Sequence, residues 1–337
     1  MALILPEKWD LARRYQRILK SKECLAGLHG RNTCTGKIVR AHIIPRSQLL
    51  QIATRGHVHA VPTRLSSVMQ MQHSTFEAQD VGAKEFSVLN CFCARHDKAL
   101  FAPLEDRPLT FSREQIALLH YRAIAAEAYQ RRNQEDAAAA ECQRYESRDP
   151  RRERFFWIFF NDSMAAEAAE AALDQTEVII EKAQYQNIGF LLIRFNAEPV
   201  LLSTGAFRPR FDVVGKEIQD LMVDGIYVAM HILIAERRPV VLVSWLRGQK
   251  PAERFAKSFA AQPKQSLTTL AIQAAFEHAE HTCMKRDWWL GLSNINRRSL
   301  LKRVQNANSS RYVRSSKYLA VRSPLGDWGF NSLELAR

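Results

Sequence analysis

The sequence lacks any apolar run of the roughly 18 residues that a membrane-spanning helix needs. Its longest candidate, residues 226–246, is interrupted by the charged and proline-containing sequence ERRP at 236–239, and this break predicts a β-hairpin instead. The first residues also lack the long apolar segment of a secretory signal. We therefore expect a cytoplasmic protein that does not associate with a membrane.

Common catalytic motifs are missing as well. The sequence contains no G-x-S-x-G, no H-E-x-x-H and no P-loop, so no motif supports a protease or a glycosidase. No internal repeat is visible. Hydrophobic residues make up 47% of the 337 residues, which excludes a disordered chain and is enough to build one large domain or two ordinary ones.

Cysteine is scarce, with six in the whole chain, and four of these precede residue 94. This clustering indicates metal binding rather than a disulfide framework. Two pairs stand out, Cys24/Cys34 and Cys93/His96. Two pairs on separate loops match the four ligands of a tetrahedral zinc ion. The four residues are therefore predicted to bind a structural Zn²⁺; the alternative is a set of buried thiols with a surface histidine.

The spacing within the pairs supports the zinc interpretation. The second pair has the C-x2-H spacing of a zinc knuckle, which favours Cys93 over Cys91 as the ligand. The first pair is wider, and the loop between its cysteines carries Gly27, Gly30 and Asn32, which tolerate the positive φ of a chain reversal. This region has few large apolar residues of its own, so loss of the metal is expected to unfold it.

Acidic residues are outnumbered, 35 against 48 basic ones, so the net charge is +13. The isoelectric point is about 9.7. Such a balance favours a polyanionic partner, because basic side chains neutralise phosphates. We expect nucleic acid, DNA more than RNA. The predicted phosphate contacts are Arg40, Arg46, Arg297, Arg298, Lys302 and Arg303. For the last four, which lie on one helix-forming stretch, a solvated helix face is the alternative.

The remaining pattern predicts an α+β fold. The predicted elements are an amphipathic basic helix over 7–22, a strand over 37–44, a short helix over 48–54, a long loop over 56–84, a helix starting within 91–100, a helix from a capping box at 112–115 to about 144, a helix within 151–184, strands over 188–195, 199–203, 227–235 and 240–246, a short helix over 215–221, and helices over 266–281 and 288–304. We expect a zinc unit over 1–110, a helical connector over 111–184, and an α+β domain of unknown role over 185–337. The sheet of this last domain is expected to be mixed but mainly antiparallel, followed by C-terminal helices.

The first hundred or so residues resemble the HNH (His-Me finger) endonucleases, which are built on a treble-clef zinc fold. The resemblance rests on the first cysteine pair, a strand that ends in AHIIP at 41–45, and a second ligand pair at a helix start. It implies that His42 is the general base that activates water to attack a phosphodiester. It also implies a catalytic divalent ion, usually Mg²⁺, and Asp97 falls where the family often has a metal ligand.

The sequence departs from this family at two positions. Ala41 stands where the family usually has Asp or His, and Val88 stands where its central Asn is expected. Two explanations follow: either the site has decayed, or it uses another loop residue such as His57, His59 or His73.

Two functions follow from these observations. The first is a metal-dependent HNH-like nuclease of a bacterial defence system. The second is a zinc-stabilised scaffold whose basic surface docks nucleic acid or a partner subunit, with a protein partner or a second copy held through the C-terminal domain. In that domain, Trp288 and Trp289 either stack on bases or pack against the sheet, and packing is the favoured alternative.

Overall fold

The computed structural model describes residues 14, 17–18, 21–26, 34, 36–61, 77–307, 314–321 and 323–336. Most of the predicted basic helix over 7–22, His73 and most of the loop between Cys24 and Cys34 lie outside the described residues. The described helices are α1 (Arg46–Ile52), α2 (Ala94–Glu105), α3 (Arg113–Cys142), α4 (Pro150–Glu181), α5 (Lys250–Ala260), α6 (Leu267–His278), α7 (Arg286–Gly291) and α8 (Asn294–Ala307). The described strands are β1 (Ile38–His42), β2 (His57–Ala60), β3 (Gln79–Gly82), β4 (Val88–Cys93), β5 (Ile188–Phe195), β6 (Leu201–Phe207), β7 (Val228–Ala235), β8 (Arg238–Leu246), β9 (His281–Met284) and β10 (Phe330–Ala336).

An eight-stranded sheet forms the centre of the protein. Its strand order is β10-β5-β8-β7-β6-β9-β2-β3, and each neighbouring pair is antiparallel. β1 and β4 form a second, two-stranded antiparallel sheet. The predicted α+β fold is confirmed. The hairpin predicted at 236–239 joins β7 to β8, with Glu236 and Arg237 at positive φ as a two-residue turn requires.

Both faces of the central sheet are covered, because alternate residues of one strand enter two different cores. On β8, Val240 and Leu242 belong to the core shared with α3, whereas Val241 and Val243 belong to the core shared with α5 and α6. The protein therefore has a helix–sheet–helix arrangement. Burial on both faces explains why these strands appear in the sequence as continuous apolar runs.

The sheet crosses the domain boundaries expected from the sequence. β2 and β3 lie within the expected zinc unit over 1–110, in a segment for which we expected mainly a loop. They extend the central sheet, because His59 and Ala60 pair with Met284 and Cys283 of β9. The first hundred residues are thus joined by backbone hydrogen bonds to the sheet of the C-terminal part.

The start of α3 follows the predicted capping signal in part. The Ser112 hydroxyl accepts a hydrogen bond of 3.2 Å from the backbone N–H of Gln115. The second hydrogen bond of a capping box, in which the Gln115 side chain accepts from the backbone N–H of Ser112, is not formed. The side-chain amide of Gln115 instead accepts hydrogen bonds from Thr110 and donates to the carbonyls of Pro103 and Pro108. Gln115 therefore ties the connection before α3 to the end of α2.

Three other expectations are corrected in the C-terminal part. The helix expected over 215–221 is an irregular turn closed by a bridge between Phe211 and Glu217. The helix expected over 266–281 ends at His278, and the chain turns directly into β9. β10 was not expected at all. The packing alternative for Trp289 is confirmed: its ring is buried and stacks on Phe276 with 5.9 Å between ring centroids.

Gly189 on β5 is expected to tolerate no side chain. It pairs directly with Trp245 on β8, and a β-carbon at residue 189 would lie 2.6 Å from the indole ring. Because Trp245 is fully buried, Gly189→Ala should cost about 1–3 kcal/mol of unfolding free energy, as overpacking does. Urea unfolding measures this cost. Gly291→Ala, which meets nothing within 4 Å, is the matched control, and equal stability of the two variants would contradict the expectation.

Candidate metal centre

The two-stranded sheet and α2 hold the predicted zinc ligands. Cys93 is the last residue of β4 and the N-cap of α2, so His96 falls in the first turn of that helix. The segment carrying Cys24 is attached to β4 by backbone hydrogen bonds from Glu23 and Leu25 to the carbonyls of Asn90 and Cys91. Two parts of the chain that are distant in sequence therefore meet at one point.

The four predicted ligands converge. The ligand atoms of Cys24, Cys34, Cys93 and His96 all lie within 4.8 Å of one another. The Nδ1 atom of His96 is 3.2 Å from the Cys24 sulfur and 3.4 Å from the Cys93 sulfur. Sulfur ligands on a tetrahedral zinc ion, with bonds of about 2.3 Å, are about 3.8 Å apart. The group is thus arranged to bind one metal ion.

The polar surroundings of Cys24 are those of a thiolate ligand. Its sulfur accepts a hydrogen bond of 3.2 Å from the backbone N–H of Cys93. Burial raises the pKa of the Cys24 thiol to about 12, and the neighbouring Cys93 adds to this rise, so the thiolate needs a cation for its stabilisation. Cys91 is excluded from the group: it lies in the apolar core, where burial raises the pKa of its thiol.

His42 lies at the end of β1 with one ring nitrogen engaged. Its Nε2 is 3.2 Å from the carbonyl oxygen of Ala83, and because a carbonyl only accepts, Nε2 carries the proton. Nδ1 is then the basic nitrogen of the ring. Burial lowers the pKa of His42 below its ordinary value of 6.5, and the nearby cations Arg46 and Arg122 lower it further. A neutral imidazole at pH 7 is the form that can accept a proton.

Asp97 stands near His42 on the first turn of α2. Burial raises the pKa of Asp97 above its ordinary range, while Arg122 and His42 act in the opposite direction. The Arg122 side chain is buried, forms an ion pair of 2.8 Å with Glu105, and stacks on the ring of Phe101. A general-base candidate, a carboxylate and a guanidinium therefore influence one another electrostatically, although His42 itself lies at the end of the β1–β4 pair opposite Cys93.

This second group is not a complete metal site. Within the described parts of the chain, the four-residue cysteine–histidine group is the only set of three or more potential ligands that converges to 4.8 Å. Ala41 is buried and offers no ligand atom, and Val88 pairs with His42 across the strands. A divalent ion here would have Asp97 as its protein ligand.

The other loop histidines that were alternatives are held elsewhere. His59, on β2, is buried and lies 2.8 Å from an oxygen of Asp80, and this contact lowers the pKa of Asp80. His57 is exposed and contacts the carbonyl of Arg55 at 3.0 Å. Both lie on the strand that joins the central sheet.

The predicted phosphate contacts fall into two separate places. Arg40 and Arg46 flank His42, although exposed Arg40 also forms an ion pair with Glu85. The other four lie on α8, which packs on α6 across the sheet from the metal centre. Arg303 there is bound to Glu277 and to the carbonyl of Tyr318. Arg297 donates to the carbonyl of Leu290 on α7 and to Asn294 of its own helix, whereas Arg298 and Lys302 are exposed.

A row of buried histidines is the feature that sequence reasoning missed. His231 on β7 and His281 on β9 both pair with Thr204 of β6, so all three lie side by side on one face of the sheet. The Nδ1 atom of His120, on α3, lies 3.0 Å from the hydroxyl oxygen of Ser244 on β8. The sequence analysis singled out none of these histidines, because the register that aligns His231 and His281 joins strands far apart in the chain.

The comparisons with known proteins add no relationship: the chain matches no protein family, no curated protein and no solved structure. None of the helices in the described ranges has both the length and the apolar character needed to cross a bilayer.

Proposed function

We propose that this protein is a zinc-stabilised, divalent-ion-dependent nuclease of the HNH kind, acting on DNA as part of a bacterial defence system in the cytoplasm. The observation that carries the proposal is the position of His42. It lies at the end of β1, paired with Val88 and five residues along the ladder from Cys93, with Nε2 bound to a carbonyl and Nδ1 left as a base that Asp97 influences electrostatically.

Zinc is the metal that fits the four-residue group. Three thiolates and one imidazole form a closed tetrahedral set with no position for a substrate, which is the pattern of a structural site. All six cysteines are free, as a reducing compartment would keep them. The role of the zinc is to fix β4 and the start of α2 relative to the segment around Cys24.

His42 then acts as the general base. Neutral Nδ1 accepts the proton of a water molecule as its oxygen attacks phosphorus, and the hydrogen bond from Nε2 to Ala83 holds the ring in place. Asp97 supplies an oxygen ligand that suits a hard cation, and a bound Mg²⁺ would stabilise the charge that develops on the phosphate. Arg40 and Arg46 are placed to neutralise neighbouring phosphates of the DNA backbone.

His42→Ala should abolish cleavage without affecting the fold. Loss of a general base lowers the rate by about 10²–10⁴-fold. The measurement is cleavage of plasmid DNA, linear DNA and RNA in Mg²⁺ or Mn²⁺, together with the zinc content and melting temperature of each protein. His57→Ala, which removes an exposed histidine of the central sheet, is the matched control. Undiminished cutting by His42→Ala, with the control unchanged, would refute the assignment of His42.

A second candidate is a zinc-stabilised, non-catalytic subunit that binds nucleic acid or a partner protein. Ala41, Val88 and the lack of a converging second set of metal ligands in the described residues favour this candidate. It is established if the wild-type protein contains zinc and binds DNA but cuts no DNA or RNA with either ion.

A further inference from the structure

The outer face of α4 exposes an aromatic cluster. Phe156 and Trp157 are 49% and 52% exposed, and their rings lie 5.9 Å apart. Phe160, one turn further, lies 6.0 Å from the ring of Trp157 in an edge-to-face contact. Large aromatic side chains grouped in this way on a surface mark an interaction site.

The aromatic cluster is part of a longer stripe. Trp157, Phe160, Met164, Ala168 and Ala171 recur at intervals of three and four residues, so they share one face of the helix. The large side chains are in the N-terminal half of the stripe and the small ones are in the C-terminal half. Ala171 is exposed, and the three preceding members are half-buried.

The charges of the same helix are also divided between its ends. Near its start, exposed Arg152 and Arg154 flank exposed Glu153, and exposed Arg151 is paired with Asp149. The arginines outnumber the acidic groups there, whereas Glu167 and Asp174 are exposed further along. Two parallel copies of this helix would place like charges together, but two antiparallel copies would place the basic end of each beside the acidic part of the other.

We propose that α4 is a dimerisation helix that packs antiparallel against α4 of a second copy of this chain, with the two-fold axis near Met164. Trp157 and Ala171 are equally distant from Met164 along the helix, whereas Ala168 is already packed against Gly225 of its own chain. Trp157 of each copy therefore meets the layer of Ala171 of the other. Alternating large and small residues in this way fills an interface without voids.

The surface beside the stripe enlarges the contact. Met222 and Val223 are 54% and 81% exposed. Met222 and Met164 line an open groove of about 400 Å³ together with the charged residues Arg208, Arg210 and Asp220. A stable interface buries roughly 800 Å² per partner, so apolar residues beside the stripe would add to the contact. This inference does not depend on the proposed nuclease activity.

The test exchanges large and small side chains in the full-length chain. Sedimentation velocity should show a dimer for the wild type at micromolar concentration. Trp157→Ala leaves a hole and Ala171→Trp creates a clash, so each should weaken dimerisation at least about 100-fold, because every dimer contains the contact twice. Mixing the two variants should restore the dimer, because both of its Trp–Ala contacts are then complete.

Matched controls separate this effect from a general change of surface. Leu290→Ala removes an exposed apolar side chain of α7, and Ala261→Trp adds one beside α5, so both should remain dimeric. A monomeric wild type overturns the proposal, and co-sedimentation of that monomer with anionic vesicles through Trp157 would assign the stripe to a lipid surface. Variants that stay monomeric after mixing also overturn it, since they rule out this packing.

Discussion

Cys93→Ser should remove the bound zinc and strongly destabilise the first part of the chain. Cys93 joins three features of the site: its sulfur faces His96, its backbone N–H bonds the Cys24 sulfur, and it is the N-cap of α2. Structural zinc contributes on the order of 10 kcal/mol to small zinc-stabilised folds. Loss of a ligand therefore removes one of the largest single contributions to the stability of this region.

The extent of the unfolding differs from the expectation drawn from the sequence. The region is not poor in core residues, because Ile43, Ile44, Phe92 and Phe101 are fully buried, and both rings contact Tyr121 of α3. Apolar packing should keep β4 and α2 on the main body. Among the described residues of the segment around Cys24 and Cys34, only Ala26 is buried in this core, with Cys24 and Leu25 packed against it, so this segment is the part that should detach.

Hydrogen exchange and zinc content measure this outcome. In Cys93→Ser and in chelator-treated protein, the amides of Glu23 and Leu25, which bond to β4, should lose their protection, and the melting temperature should fall. Cys142→Ser, at a cysteine outside the cluster, is the control and should keep its zinc. Full zinc occupancy and normal melting of Cys93→Ser would show that this group is not the metal centre.

Acidification should destabilise the protein between pH 6.5 and about pH 4 through the buried histidines. Burial lowers the pKa of His120 and His281 to about 4 and that of His231 to about 3. In the unfolded chain these imidazoles bind protons near the ordinary value of 6.5. Below that pH the unfolded state binds more protons than the folded state, so the free energy of unfolding falls as the pH falls.

The expected slope is large. Each neutral buried histidine contributes up to about 1.4 kcal/mol per pH unit, so these three and the buried His278, whose pKa is also well below its ordinary value, contribute about 5–6 kcal/mol per unit. Folded domains are stable by only about 5–15 kcal/mol, and the protein should therefore unfold near pH 5. Hydrogen bonds do not fully stabilise the protonated form of these imidazoles. Both ring nitrogens of His281 and the Nε2 atoms of His120 and His231 have no hydrogen-bond partner among the described residues.

Urea unfolding at several pH values with excess zinc tests this linkage. His281→Phe, which removes one of the four buried imidazoles, should reduce the slope by about a quarter. His57→Ala removes an exposed imidazole and is the control, with the wild-type slope expected. A free energy of unfolding that stays constant from pH 6.5 to pH 5 would contradict the predicted effect of the buried histidines on stability.

Local signals in the sequence account for much of the fold. β5 was predicted to the residue, because 188–195 is an apolar run bounded by polar residues, and α4 begins where Asp149 and Pro150 mark a boundary. The convergence of the metal-binding group was also predictable, since two pairs of soft ligands at knuckle-like spacing need one common centre. Each of these inferences depends on residues that are neighbours in the chain.

The amino-acid sequence by itself thus determined most of the helices, four of the eight described strands of the central sheet and the members of the metal-binding group. Only the tertiary structure decided that β2 and β3 extend the sheet of the C-terminal part, that His231 and His281 lie side by side, and that the aromatic face of α4 stays uncovered. The reason is physical. Strand register and helix coverage depend on contacts between residues far apart in the chain, and no periodicity within one segment specifies its partner.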